Sequence, residues 1–548
     1  MEQIADWAGR NNIRRNALNE LLAILRQHTE YYVPKDGRTL LKTPRVTPIV
    51  NKCGGQYIYF GIASGVLKEL AHDASIISDS NDVALVVNVD GLPIYKSSSR
   101  EFWPILCSFS MCTPFIVALY YGRGKPESVE EFLRDFLEEY ENLKEHSLQY
   151  SGTTVTVSIK AFICDAPARS FLKCVKGHTP FEACERCTIK GVKKENRTVL
   201  YSNYNCTLRT NEQFQKLQYK DHQLKASPLT SHSINCIQTF PLEYMHLVCL
   251  GVVRRMLYFW KCGPRHCRLS CGQISAISDH LLSFTGKLPS EFVRQPRSLL
   301  ELERWKATEY RQFLLYTGPI VLRKVLSEHV YETFLCLSVA ISILLDESEN
   351  RRREYLGYAR ELLSTFVRKS LSDFGDIFVV YNVHNLLHIA DDVEHFDCSL
   401  NALSAFPFEN HLQALKRIIR CGRNPLSQVW RRVYERQQIC SVVPKKHRKL
   451  HVSPGDRNGV YMLENGDVAF VQEQLERGQV ECRIFRECDT EDFFVKPCKS
   501  KLLDIVFVKK ECRSTRKSLL YKDLKHKAVC LPYSAGHVVF PLLHDAEK

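Results

Sequence analysis

Three acidic residues stand where carboxylates could act together. Asp90 closes the apolar, β-branched run that starts at Val83, Asp165 closes the run that starts at Thr154, and Glu409 opens an amphipathic helical stretch with Leu412, Leu415 and Ile419 on one face. Carboxylates that converge from separate elements can hold two divalent cations about 3.5–4 Å apart, one activating an attacking oxygen and the other stabilising a leaving oxygen. Hard oxygen ligands of this kind suit two Mg2+ or Mn2+ ions. Each acid also has a plainer reading. Asp before Gly, as in Asp90-Gly91, forms turns; Asp165 ahead of Ala166-Pro167 can cap a helix; Glu409 at a helix start is favoured by the helix dipole. The order of the three, on these elements, points to a joint metal-dependent centre.

A second set of residues has ligand chemistry of a different kind. Cys184-Glu-Arg-Cys187 has the spacing of a zinc knuckle, and His384-Asn-Leu-Leu-His388 puts two imidazoles on one helix face. With 22 cysteines and 19 histidines, about one pair of each spacing arises by chance, and His447 with His451 repeats the second. Two thiolates and two imidazoles together would make a closed tetrahedral Zn2+ site with no open position, hence a structural one. Cys174, His178, Cys206 and His246 compete as ligands. The two pairs lie just after Asp165 and just before Glu409, so a zinc clip would fix the third acid relative to the first two.

The elements that must position these residues follow from periodicity. A basic amphipathic helix is expected over Ile13 to Leu25, with Arg14, Arg15 and Arg26, followed by an extended segment. Strands are expected at Val83–Asp90, Phe102–Ser110, Phe115–Tyr121 and Thr154–Asp165, with a helix at Pro126–His146 before the last strand and another through Ala168, Phe171 and Leu172 after it. Strand, strand, strand, helix, strand, helix, with acids closing the first and fourth strands, is the layout of an RNase H-like α/β (α+β) core. Residues 188–383 read as a long helical insertion, with helices at Leu242–Trp260, Leu299–Leu326, Val330–Leu345 and Arg353–Phe374. Residues 384–435 return to the core with a helix over Glu409–Ile419, which Pro407 precedes. A basic linker over 436–458 contains Lys445–Lys449. Residues 459–548 read as a small β-rich domain, with strands at Val460–Met462, Val468–Val471, Leu502–Val508 and His537–Pro541. Residues 1–80 and 81–187 are then the N-terminal segment and the first part of the core.

Lysine plus arginine (75) exceeds aspartate plus glutamate (61), giving a formal net charge of +14. A basic surface suits a polyanion, nucleic acid first. Lys416, Arg417, Arg420 and Arg423, on and after the Glu409 helix, are the candidate DNA contacts. The most apolar stretch, Phe334 to Leu345, is too short to span a bilayer and reads as a buried helix, so no membrane partner is expected. The chain opens on Met1-Glu2-Gln3 without a basic start or an apolar run, so a reducing compartment is expected, where cysteines bind metal rather than pair.

These residues carry a family resemblance. Asn88-Val89-Asp90-Gly91, Cys164-Asp165-Ala166-Pro167-Ala168, Cys184-x-x-Cys187, Tyr244-Met245-His246-Leu247 with Leu250-Gly251-Val252, Arg304-Trp305-Lys306-Ala307-Thr308-Glu309, His384-x-x-x-His388 and Phe406-Pro407-Phe408-Glu409-Asn410 resemble motifs of the CACTA (En/Spm-like) transposases in their animal form. The match spans roughly residues 35 to 435 and departs at Glu243, where relatives are expected to carry Asp. The chain is also similar to the catalytic core of the V(D)J recombinase. The resemblance implies that Asp90, Asp165 and Glu409 form a catalytic triad and that Cys184, Cys187, His384 and His388 bind zinc. It implies DNA cleavage and strand transfer at the ends of an element, by an oligomer that is at least a dimer, in the nucleus. The alternative it leaves is a domesticated, inactive DNA-binding descendant.

Overall fold

Apolar residues at helical spacing near the N-terminus fold as α1 (Glu2–Arg10), α2 (Arg15–His28) and the single turn α3 (Gly37–Leu40), packed around Ala5, Ala8, Leu18, Leu22 and Leu40. The computed structural model describes residues 1–73, 81–95, 97–110, 112–193, 199–201, 207–439 and 452–544. The basic segment Lys445–Lys449, Cys206, His447 and His451 lie outside the described residues. Within them the protein is a mixed α/β chain with a curled mixed sheet and a separate C-terminal antiparallel sheet. It divides into two compact units. The first comprises Met1–Val175, Asn211–Phe240 and Ala405–His447; the second comprises Lys176–Thr210, Pro241–Ser404 and Arg448–Lys548.

The sheet of the first unit contains β1 (Val50–Lys52), β2 (Gly55–Tyr59), β3 (Asp82–Val89), β4 (Leu92–Pro93), β5 (Arg100–Ser108), β6 (Phe115–Arg123), β7 (Leu148–Tyr150) and β8 (Thr153–Phe162). Their order is β1-β2-β6-β5-β3-β8-β7, with β4 beside β5. Among the described residues only β3 and β8 pair in parallel, with Val83 opposite Val157 and Val87 opposite Phe162. Parallel neighbours need a crossover, and the chain between them supplies β5, β6 and the helix α5 (Val129–His146), which follows α4 (Ile62–His72) in the sequence. Period-2 alternation turns Val83, Leu85, Val87 and Val89 to one face, where they share a core with Phe132, Phe136 and Tyr140 of α5. The Ser128 hydroxyl accepts from the Glu131 amide at 3.1 Å and starts α5. The Glu139 carboxylate in turn accepts from the first amides of α4, Ile62 at 2.6 Å and Ala63 at 3.0 Å. After β8 comes α6 (Ala166–Lys173). The helices Phe406–Ile418 and Pro425–Ile439 complete the unit, α1 packing on the latter.

In the second unit the helices are more broken than periodicity suggests. Leu242–Trp260 is a π-helical stretch, Met245–Val253, running into an α-helix, Arg254–Cys262. Leu299–Leu326 is four pieces: a 3-10 segment Leu299–Arg304, Ala307–Gln312, a π turn Phe313–Thr317 and Gly318–Val321. Pro319 has no amide to donate to a regular helical bond, and the wider π turn just before it absorbs the mismatch. Glu328–Leu344 is buried along nearly its whole length, Glu349–Phe374 on one face, and Tyr381–Phe396 carries the histidine pair. Among the described residues no helix is long and apolar enough to cross a membrane.

The short pair β9 (Val192–Lys193) and β10 (Val199–Leu200) precedes these helices. The C-terminal sheet follows them with β11 (Val460–Met462), β12 (Val468–Gln474), β13 (Gln479–Phe485), β14 (Glu491–Asp492), β15 (Val506–Lys509), β16 (Thr515–Leu520), β17 (His526–Tyr533) and β18 (Gly536–Pro541). Their order is β14-β15-β18-β17-β11-β12-β13-β16, every pair antiparallel. Alternation gives it a core on each face, one around Val460, Phe470 and Cys530, the other around Tyr461, Val471 and Cys482. This sheet docks on the helices through Arg351 with Asp504, the Tyr358 hydroxyl on the Pro497 carbonyl at 3.1 Å, and Lys527 with Glu291 at 2.8 Å.

Candidate metal centres

The first centre begins where β3 and β8 end side by side. Regular pairing stops at Val89 and Phe162, but the chain beyond β8 stays against β3: the Ile163 amide donates to the Val87 carbonyl at 2.8 Å, and the Asn88 side-chain amide donates to the Ile163 carbonyl at 2.7 Å. One residue on, the Val89 amide points to the Cys164 sulfur at 3.4 Å, and the buried Arg169 donates to the Cys164 carbonyl at 2.8 Å. Asp90 and Asp165 therefore leave adjacent parallel strands on either side of one thiol. Burial pushes the Cys164 thiol far above its ordinary range, and the neighbouring charges of Asp165 and Asp90 add to this.

Glu409 enters from the helix Phe406–Ile418. Pro407 suits the first turn, where its missing amide costs nothing. Phe408, Leu412, Leu415 and Ile418 are buried, which turns Glu409 to the helix flank, half-exposed. A carboxylate oxygen of Glu409 and one of Asp90 lie within 4.8 Å of each other. Asp165 is not part of that group; one of its oxygens accepts from the Ala168 amide at 2.8 Å and caps α6. Two half-buried carboxylates this close repel, and a divalent cation between them would relieve it. The residues that sequence reasoning missed are the positioning pair Asn88 and Arg169. Asn88 carries a signal, a polar residue inside an apolar strand.

The four basic candidates are all exposed but not alike. Lys416 donates to the Pro93 carbonyl at 2.7 Å and so ties its helix to β4. Arg420 donates to the carbonyls of Asn12 at 3.0 Å and Ile13 at 2.8 Å, and to the Asn12 side chain at 3.0 Å. Arg417 lines a cleft beside α2, and Arg423 a separate one with Arg100 and Arg123. The loop between the two late helices is held by Gln428, whose side chain donates to the carbonyls of Cys421 at 2.9 Å and Arg423 at 2.7 Å.

The second centre lies wholly in the second unit. Cys184, Cys187, His384 and His388 are buried, and one ligand atom from each lies within 4.8 Å of the other three. The two sulfurs are 3.5 Å apart, and Cys187 sulfur is 3.3 Å from His384 Nε2. A tetrahedral zinc with its usual bond lengths needs ligand separations of about 3.5–3.8 Å. Nε2 of His388 is buried with no hydrogen-bond partner, a position that a metal would fill. Burial drives the Cys184 thiol up, but the neighbouring Cys187 thiol and the His384 and His388 imidazoles outweigh it and hold the thiol well below its ordinary range.

A ring of contacts holds this cluster. The Asn385 side chain spans the Tyr381 carbonyl at 2.8 Å and the Cys184 sulfur at 3.6 Å. The Tyr381 hydroxyl donates to Glu185 at 3.0 Å, and the Tyr201 ring stacks on His384 at 5.2 Å. Arg209 donates to the Cys184 carbonyl at 3.0 Å. Arg186 pairs with buried Asp392, which also accepts from the Leu242 amide at 2.7 Å. Cys174 and His178 stay outside this group; Cys174 ends α6 and His178 faces the Tyr381 ring at 6.1 Å. His246 hydrogen-bonds Glu243 at 2.8 Å, and the fully buried Glu243 carboxylate also accepts from the Met245 and His246 amides. At the position where the resemblance expects Asp, Glu243 thus makes the hydrogen bonds that start a helix.

Comparison with known proteins gives one family match: a model described as a domain of unknown function (DUF8592) covers residues 433–542, the region of the C-terminal sheet. No curated protein matches the chain.

Proposed function

We propose that this protein is a metal-dependent DNA strand transferase of the transposase type, built on an RNase H-like core. The observation that carries the reading is the approach of the Asp90 and Glu409 carboxylates, from a strand end and a late helix, beside the neighbouring strand end that bears Asp165. Asp90, Asp165 and Glu409 would hold two Mg2+ or Mn2+ ions. Bound there, the ions supply activation of the attacking oxygen and charge stabilisation at the leaving one. The chain's own part is positioning. Asn88 and Arg169 fix the carbonyls just before Asp165, the capping bond holds the Asp165 side chain in one orientation, and Lys416 anchors the Glu409 helix to β4. Cys184, Cys187, His384 and His388 would hold a structural Zn2+, with all four positions filled by protein. The substrate would be duplex DNA, the site of action the nucleus, and the working form at least a dimer.

A second reading, a DNA-binding descendant without cleavage, draws support from Asp165, whose carboxylate is engaged as a helix cap. Nicking and strand transfer on supercoiled plasmid with Mg2+ or Mn2+, comparing wild type with Asp165→Asn and Asp90→Asn, separates the two. Metal-dependent nicking lost in both variants is expected on the first reading. Zinc-loaded, folded wild-type protein that binds the plasmid but never nicks it would overturn the first and leave the second.

A further inference from the structure

The first unit carries a cleft of about 630 Å3 with Arg14, Arg15, Arg417 and Arg420 on its walls and Asn12 and Asn16 between them. Two segments remote in sequence make it: the entry to α2, and the end of the helix that bears Glu409. They are tied together. Arg420 reaches across to the Asn12 and Ile13 carbonyls, and the Asn12 side chain donates back to the Arg417 carbonyl at 3.3 Å. Like charges gathered this way repel unless something negative accompanies them. Among the described residues no carboxylate pairs with Arg14, Arg15 or Arg417. The two acids whose charges reach Arg15 are already engaged. Asp36 takes the Arg38 amide at 2.7 Å and its guanidinium at 3.2 Å; Glu435 takes Arg432 at 2.6 Å and the Thr43 hydroxyl. The helix dipole compounds the imbalance, since Arg14 and Arg15 stand at the start of α2, which has no acid in its first turn. Among the described residues the cleft gathers positive charge that no carboxylate pairs.

We propose that this cleft binds the phosphodiester backbone of duplex DNA, with Arg14, Arg15 and Arg417 as phosphate contacts and Arg420 as the residue that positions them. Arg417 stands eight residues along the helix from Glu409, on the order of 12 Å, or three to four base pairs of duplex rise. The cleft would therefore grip the duplex a few base pairs from the acidic pair and fix its register there without reading sequence. The inference rests on DNA as the partner, as proposed above, and not on cleavage.

The test is binding of the full chain to a short labelled duplex of random sequence, by fluorescence anisotropy over a series of salt concentrations. Each phosphate contact contributes about 0.9 to the slope of log affinity against log salt. Arg14→Ala/Arg417→Ala is expected to lower that slope by roughly two and to weaken binding more than tenfold at low salt. The charge-preserving Arg14→Lys/Arg417→Lys is expected to keep the slope, and thermal melting checks that both variants fold. If wild type binds and the alanine variant keeps the wild-type slope, the cleft assignment falls while the proposed function stands. If folded wild-type protein binds no duplex even at low salt, both fall.

Discussion

The two candidate metal centres differ as a lock differs from a workbench. The thiol and imidazole cluster is fully buried, and the residues around it are tied by hydrogen bonds into a ring through Asn385, Tyr381, Arg209 and the Arg186–Asp392 pair. The acidic pair is half-exposed, carried on the ends of elements rather than inside them, and on the same unit Arg14, Arg15 and Arg417 pair with no carboxylate among the described residues. Burial with four protein ligands suits an ion that never exchanges them. Partial exposure at element ends suits ions that must also meet a substrate. Ligand type alone would separate zinc from magnesium; burial and the state of the surroundings separate a structural role from a chemical one.

That contrast can be broken at either centre. Cys187→Ala should remove bound zinc, read by native mass spectrometry, and cost the second unit several kcal/mol or its fold, since the binding energy of a structural zinc is folding energy. Retention of zinc with an unchanged melting curve would break the comparison at its stronger end. Glu409→Gln should lower metal-dependent nicking of supercoiled plasmid about a thousandfold, equal to about 4 kcal/mol of barrier, and leave melting and zinc content as they are. An equal loss of stability there would mean that the acids, too, are structural. Asp392→Asn, outside the ligand set, should cost about 3–5 kcal/mol in denaturant unfolding by removing the charge of buried Asp392 that pairs with the largely buried Arg186.

Proton linkage sharpens the contrast away from either metal. Burial holds His544 well below its ordinary value, with Arg311 adding to the effect, while Tyr316 hydrogen-bonds its Nδ1 at 2.9 Å. The folded chain keeps His544 neutral, whereas the unfolded chain takes up a proton near pH 6.5. Stability from this group is therefore complete above pH 6.5 and is lost as the pH falls below it. Melting temperature should decline from pH 7.5 to 5.5, less steeply in His544→Gln; equal slopes would remove the assignment. The smallest expected effect is Ser128→Ala, about 1 kcal/mol from the loss of the α5 cap, with zinc content and nicking unchanged.

Much of this arrangement can be read from the amino-acid sequence, and what cannot has physical reasons. The runs at Val83, Phe102, Phe115 and Thr154 are β-branched or aromatic and lie within three residues of the bounds of β3, β5, β6 and β8. The helix expected at Pro126–His146 begins at Val129, where Ser128 caps it. β1 and β2 went unread because three and five residues are too few for alternation to show, and β1 is largely exposed. β16 went unread because Thr515–Leu520 turns almost every side chain to solvent. Convergence of the Cys184, Cys187, His384 and His388 side chains could be anticipated from chemistry and order. The ring that holds them could not, because Arg209 and Asp392 carry no spacing signal. The Arg304–Glu309 motif is spent on structure: Glu309 starts its own helix through the Lys306 amide and clamps Arg297. The arginine cleft was half legible, its two walls visible as basic segments but their meeting hidden by the long sequence between them.

The first unit is written in three pieces, and its last piece, Ala405–His447, follows the whole Pro241–Ser404 stretch of the second. A ribosome adds about 5–20 residues each second, so β8 waits on the order of ten to fifty seconds of synthesis, and β3 longer, before the helix bearing Glu409 emerges. During that interval a nascent chain holds Asp90 and Asp165 but not the third carboxylate. If the three carboxylates act together as proposed, the chain is born without its complete centre, and one stalled or cut before residue 405 stays so.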